Sequence, residues 1–234
     1  MARLTRKELK SDKFALEVQH SVEYVTEHRQ QLVRWGGIAA GIIVLLVAVF
    51  LYRNYEHGVR QQALHSAMRI QNATVGNANN EFVLTFPTEA ERQKAASKAF
   101  TELAAKYSGS DEGLIAEFFL GTNAADQGNV AEAERRFKLV ADSGNKPYGS
   151  LAKLSLAQLY ASQGKVADGE RLIQSVIDHP TVLVSKESAT VALAELIRNT
   201  DPQRARKLLE PLRSNPRSNV SRTALTILGE MSNK

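Results

Sequence analysis

The chain has 234 residues, enough for one or two domains, and a formal net charge of +5. Acidic residues are interleaved with the basic ones almost everywhere, which is typical of a solvated helical surface and argues against a nucleic-acid-binding protein. The absence of cysteine excludes disulfide bonds and a lipid-modified N-terminal cysteine.

Residues 1–34 are predicted to form a cytoplasmic tail. Near its end, apolar residues recur every three to four positions in KFALEVQHSVEYVTEHRQQLV, which indicates an amphipathic helix next to the membrane. Such a helix can lie on the membrane surface or dock on a membrane partner, and the pattern leaves both open. The more basic start of the tail is predicted to be a frayed terminus.

Residues 35–53 are predicted to form a transmembrane helix. Eighteen uncharged residues lie between Arg34 and Arg53, and ten of them are Ile, Leu, Val or Phe. As a helix they would extend roughly 27 Å, against a hydrocarbon core of about 30 Å. Trp35 and Tyr52 suit the two headgroup regions. An uncleaved anchor is favoured over a core helix or a cleaved signal, because the run begins late and no small-residue cleavage site follows it.

The orientation of this span follows only weakly from its flanking charges. Two basic residues lie close on the N-terminal side and three on the C-terminal side, but the whole 34-residue tail carries seven Lys or Arg. This favours a cytoplasmic N-terminus, with the following domain translocated to the other side.

A pair of glycines lies within the span. Gly37 and Gly41 form GIAAG, a spacing that permits close crossing of two membrane helices. We therefore predict a helix contact at Gly37 and Gly41, either in self-association or with another membrane protein.

Residues 54–110 are predicted to form a first, degenerate helical hairpin. Helical spacing continues after the span, with Gly58 as the expected position of a bend. The Gly-, Asn- and Pro-containing stretch at residues 76–88 predicts a loop, and helical spacing resumes over residues 89–107.

Residues 111–234 contain an internal repeat of thirty-six residues, ending in a capping helix. LGTNAADQGNVAEAERRF, which starts at Leu120, corresponds to LAQLYASQGKVADGERLI, which starts at Leu156, and a third copy follows at Ala192. Each copy predicts two helices joined by a turn such as DQGN, SQGK or NTDP. Two pairs of small residues, Gly121 with Ala133 and Ala157 with Gly169, are expected to let the paired helices approach closely.

These repeats resemble the tetratricopeptide repeat, whose pattern has Leu-Gly, an aromatic residue, and Ala followed four residues later by Phe. The usual tryptophan is replaced by Glu117, Lys153 and Ala189, and the family's period is thirty-four residues. The resemblance implies an all-α solenoid of stacked helical hairpins. The full layout is therefore a single N-terminal transmembrane helix followed by a tetratricopeptide-like α-solenoid.

The layout also resembles the bacterial inner-membrane family that includes the ancillary subunit of the Sec translocon. YRNYEHGVRQQALHSAMRIQNAT, starting at Tyr52, is the stretch most similar to that family outside the repeats. The resemblance implies a repeat domain in the periplasm, with translocon subunits and periplasmic chaperones as partners.

In repeat proteins of this kind, ligands usually lie along the first helix of each hairpin. Aligning the copies places eight residues in this predicted groove: Phe118, Thr122, Asp126, Leu154, Gln158, Ser162, Thr190 and Arg198. Phe118 and Leu154 are candidate anchors for apolar segments of a partner. The alternative is that these two side chains complete the packing between repeats.

The sequence predicts no catalytic site, cofactor or metal site. The five histidines show no metal-ligand spacing, and the chain has neither a phosphate-binding glycine loop nor a serine nucleophile motif. These absences argue against an enzyme, and the two resemblances above imply a non-catalytic protein-binding scaffold or chaperone adaptor near the Sec translocon. The alternatives are a scaffold for envelope assembly or cell division, and a regulatory protein whose tail binds a cytosolic partner while its repeats sense periplasmic load.

Overall fold

The computed structural model describes residues 29–76, 84–143, 146–215 and 217–232. Within these ranges the regular elements are helices apart from two strands of two residues each, which confirms the predicted all-α class. Most of the predicted cytoplasmic tail and of its amphipathic helix lies outside the described residues. By its internal packing the chain forms two units, which divide between Val59 and Arg60.

Helix α1 (Arg29–Gln71) contains the whole apolar run and continues past Gly58. It is the one helix in the described ranges that is long and apolar enough to cross a membrane, and none of its most apolar window is buried. This exposure does not fit the core helix of a soluble domain, so the anchor and signal-sequence interpretations remain. The bend at Gly58 stays a prediction.

The second unit continues with paired helices in the order that the repeat predicts. After α2, the pairs are α3 with α4, α5 with α6, and α7 with α8, and the described chain ends with α9. Their bounds are α2 (Glu89–Lys106), α3 (Asp111–Asp126), α4 (Val130–Ala141), α5 (Lys146–Ser162), α6 (Val166–Asp178), α7 (Lys186–Ile197), α8 (Pro202–Leu209) and α9 (Ser218–Ser232), with a 3₁₀ turn (Glu210–Leu212) after α8.

Polar caps begin most of these helices. In five of them the side-chain oxygen of the N-cap residue accepts a hydrogen bond from the backbone N–H three residues later; these caps are Thr88, Ser110, Asn129, Ser185 and Asp201. Each such bond satisfies a donor that the helix cannot pair internally and contributes about 1 kcal/mol. The caps therefore fix where α2, α3, α4, α7 and α8 begin.

Glycine makes the turns within the first two repeat hairpins possible. Gly128 and Gly164 have φ angles of 73° and 78°, a left-handed conformation that costs glycine little and other residues more. In the second turn, the Lys165 N–H donates to the Tyr160 carbonyl oxygen at 2.8 Å. The predicted DQGN and SQGK turns thus act as helix C-caps that reverse the chain.

Two short strands lie at the ends of the segment predicted as a loop. Strand β1 (Thr74–Val75) pairs in parallel with β2 (Thr85–Phe86), with Thr74 opposite Thr85. Residues 76–88 are predicted as loop only, and β2 within them corrects that prediction. Strands of two residues show no alternation, and periodicity therefore cannot predict them.

Each repeat helix contacts the next one along the chain, and the first helices α3, α5, α7 and α9 also contact each other in succession. Buried side chains form three clusters along this stack: one around Phe100, one around Phe137, and a longer one that includes Ile173, Ile197 and Leu209. No hairpin buries its apolar face alone, so the stability of each depends on its neighbours.

The predicted close approaches of small residues are correct at one site and wrong in detail at the other. A Cβ on Gly169 would lie 2.8 Å from the Ala157 carbonyl oxygen, so only glycine allows α6 to approach α5 this closely. A Cβ on Gly121 would instead meet the Phe137 ring, 2.8 Å from Cε1. Ala133 is fully buried but is not among the atoms closest to Gly121. The space above Gly121 is filled by the aromatic ring.

Candidate protein-binding surface

The predicted groove follows the contact between successive first helices α3, α5 and α7. Its residues fall in rows thirty-six positions apart: Phe118, Leu154 and Thr190 form one row, and Asp126, Ser162 and Arg198 form another. Such rows are what a stack of similar hairpins presents to a partner.

On α3, the structure places Phe118 in the packing between hairpins. Its ring centroid lies 5.7 Å from that of Phe119, 5.8 Å from that of Phe137 and 5.6 Å from that of Tyr148. Phe118 is half-buried, and these contacts match the alternative in which it completes the packing between repeats. Asp126 at the end of α3 is exposed, and the Thr122 hydroxyl donates to the Phe118 carbonyl oxygen at 3.2 Å.

On α5, the groove positions change from apolar to polar along the helix. Leu154 is half-buried against the longest apolar cluster. Gln158 is exposed, and so is Ser162, whose hydroxyl donates to the Leu159 carbonyl oxygen at 2.7 Å. Gln158 is thus accessible to solvent at the middle of the predicted groove.

On α7, the residue equivalent to Thr122 and Gln158 is inaccessible to a partner. Ala194, which corresponds to Gln158, is fully buried, while Thr190 donates to the Lys186 carbonyl oxygen at 2.8 Å. Arg198 follows the end of α7, and its Nη1 donates to Glu230 Oε2 at 2.7 Å. Some of the eight predicted side chains therefore pack between hairpins, some have hydroxyls bonded to backbone carbonyls, and some are accessible to solvent. Their role in binding stays a prediction.

The structure adds residues that sequence reasoning missed. A cavity of about 570 Å³ lies beside Arg198, where the end of α7, the start of α8 and the end of α9 converge. Arg206 of α8 and Glu230 of α9 line it together with Arg198. Arg198 belongs to the predicted groove, but no repeat position marks Arg206 or Glu230, which meet Arg198 only through the packing of α8 and α9.

Ion pairs join the helices of the first repeat hairpin. Glu117, which stands where the repeat family has tryptophan, pairs with Arg136 of α4. Glu132 accepts from Arg136 Nε at 2.7 Å and from Arg135 Nη2 at 2.8 Å. Hydrogen bonding to Arg135, together with the charge of Arg136, lowers the pKa of Glu132 to about 2.

We expect Glu132→Gln to lower the free energy of unfolding at pH 7 by less than about 1 kcal/mol, because exposed ion pairs are screened by water. The Glu132 side chain is 32% exposed. Because its folded-state pKa lies below the ordinary value of 4.5, its contribution is complete above about pH 4.5 and is lost as the pH falls towards about 2. Urea unfolding followed by circular dichroism across this range should show the two proteins converging, and a pH-independent difference would contradict this explanation.

No cluster of three or more potential metal-ligating side chains occurs in the described ranges. His57, His65 and His179 are exposed, whereas His20 and His28 lie outside those ranges. In α1, a Cβ on Gly37 or Gly41 would meet nothing within 4 Å. The helix contact at these glycines stays a prediction.

The family model described as a tetratricopeptide repeat-like domain matches residues 34–210, about three quarters of the chain. The match begins at Arg34, so it includes the apolar run as well as the repeats. Searches of curated proteins and of solved structures returned no match.

Proposed function

The chain belongs to the tetratricopeptide repeat-like family, and on this basis we propose that it is a membrane-anchored, non-catalytic scaffold or chaperone adaptor that binds other proteins. We place its repeats on the periplasmic side of a bacterial inner membrane, near the Sec translocon, with translocon subunits and periplasmic chaperones as partners. The family as a class supports protein binding, while the location and partners rest on the resemblance in layout.

The observation that carries the proposal is the stack of first helices with accessible polar positions. Gln158 and Ser162 on α5 and Asp126 on α3 are exposed. Neighbouring Leu154 is half-buried, so a partner would meet polar groups beside partly covered apolar surface. Protein interfaces combine these two elements, an apolar centre and a polar rim.

The unburied apolar part of α1 supports the membrane anchor. Trp35 and Tyr52 are 71% and 63% exposed, and the apolar side chains between them are exposed as well. In water this surface would be unfavourable by about 25 cal/mol for each Å², whereas a bilayer accommodates it. Carbonate extraction tests the anchor, and protection of the repeats from protease in spheroplasts tests their location.

We expect a photocrosslinking amino acid at position 158 of the full chain, expressed in cells, to capture specific partners. The matched control replaces Gln174, an exposed glutamine on α6, the second helix of the same hairpin. Crosslinks several times stronger at position 158 would support the groove, and equal yields at both positions would reject it. Translocon subunits or chaperones among the products support the proposed location. Wall-synthesis or division proteins would identify the envelope scaffold instead.

A further inference from the structure

The cavity of about 570 Å³ at the end of the described solenoid contains an unusual set of hydrogen-bond donors. Two guanidinium groups, those of Arg198 and Arg206, line it with the side-chain amides of Asn199 and Gln203. A guanidinium carries five N–H donors in a planar fork that matches the two oxygens of a carboxylate. The volume lies within the range of sites that bind small ligands or short peptide segments.

One of these donors, the Arg198 guanidinium, is already bonded to a carboxylate of the chain itself. Arg198 Nη1 donates to Glu230 Oε2 at 2.7 Å, and Glu230 is 57% exposed. Arg206 Nη2 donates to the Met231 carbonyl oxygen at 2.6 Å. Exposed ion pairs of this kind contribute little to stability, so a carboxylate from outside can displace Glu230.

The charge of the cavity lining favours an anionic ligand. Among the lining residues are two arginines and one glutamate, an excess of one positive charge. That glutamate, Glu230, is the side chain that an anionic ligand would replace. The cavity also has apolar walls from Pro202 and Met231.

We propose that this cavity binds an acidic peptide segment of a partner protein, with one carboxylate held between Arg198 and Arg206, and that Glu230 pairs with Arg198 when no partner is bound. The inference rests on the proposed function as a protein-binding scaffold. A peptide that alternates acidic and apolar side chains satisfies both the guanidinium groups and the apolar walls.

Fluorescence anisotropy on the full chain in detergent tests this proposal. The probe is a fluorescein-labelled hexapeptide amide of alternating leucine and glutamate, and its counterpart has glutamine at each glutamate. Arg198→Gln combined with Arg206→Gln should weaken probe binding by about tenfold or more, because two charge-assisted hydrogen-bonding groups are lost. Arg171→Gln is the matched control, since Arg171 is 80% exposed and pairs with Asp168 of its own helix.

A substitution of Glu230 gives a second test, in which the affinity for the probe should change in the opposite direction. Glu230→Gln should strengthen probe binding about three- to tenfold by weakening the internal competitor. Glu210→Gln makes the same charge change at a side chain that is also 57% exposed but lies outside the cavity lining, and should have little effect. This comparison remains decisive if the double arginine variant fails to fold.

Four results would overturn the proposal. These are equal effects of the cavity variants and their controls, equal binding of the glutamine peptide, no binding of the probe, and displacement of the probe by free glutarate as effectively as by unlabelled peptide. The last result would assign the cavity to a small carboxylate. Crosslinking at position 158 reads a different surface, so the scaffold function can hold while this inference fails.

Discussion

Replacing Phe137 by alanine is expected to lower the free energy of unfolding by about 3–5 kcal/mol, as for other buried aromatic residues. The Phe137 ring is 2% exposed and fills the space that Gly121 leaves on α3. It also contacts the Phe118 ring, at a centroid distance of 5.8 Å. The truncation therefore opens a cavity between α3 and α4 and loosens the packing towards α5. Urea unfolding of the full chain in detergent, followed by circular dichroism, measures the effect.

The opposite change at the same contact should also destabilise the fold. Gly121→Ala places a Cβ 2.8 Å from Phe137 Cε1, so the ring must shift, at a cost of about 1–3 kcal/mol. Gly229 is the matched control, because it lies three periods of thirty-six residues later and an added Cβ would meet nothing within 4 Å. Gly229→Ala should be neutral or stabilising by up to about 1 kcal/mol, since alanine favours helix. Equal changes in the free energy of unfolding at the two glycines would show that the contact between Gly121 and the Phe137 ring does not matter for stability.

The thirty-six-residue period predicted the order of the repeat helices because each hairpin repeats the same apolar stripe and the same turn. It also predicted the glycine turns, since Gly128 and Gly164 follow their helices at corresponding positions. A period states which residues are equivalent, but not which residues face each other. For this reason it paired Gly121 with Ala133, although the structure places the Phe137 ring there.

The same limit affects the candidate site. Periodicity placed Phe118, Leu154 and Thr190 in one row, but it could not distinguish a side chain that lines a groove from one that packs on the next hairpin. The ring contacts of Phe118 show that it takes part in the packing between hairpins, while its role in binding stays a prediction. The cavity beside Arg198 was beyond prediction, since its ion pair joins residues that are 32 positions apart on different helices.

A partly buried ion pair links the end of α1 to α3 and differs from the surface pairs. Arg60 Nε lies 3.1 Å from Glu112 Oε2, and their side chains are 23% and 5% exposed. Glu112 lies in the first turn of α3, where a negative charge is also favoured by the helix dipole. Because water reaches Arg60 more easily than Glu112, the two partners should not be equally costly to remove.

We expect Arg60→Met to lower the free energy of unfolding by about 2–4 kcal/mol, because it takes the arginine partner from a carboxylate that is almost fully buried. Glu112→Gln should cost less, about 1–2 kcal/mol, since the more exposed Arg60 keeps part of its hydration. Replacing both residues by apolar side chains should recover much of the loss. Arg213→Met is the matched control, because Arg213 and Glu210 are 55% and 57% exposed, and it should change stability by less than about 1 kcal/mol. If Arg60→Met costs no more than Arg213→Met in urea unfolding, the pair does not hold the end of α1 to α3.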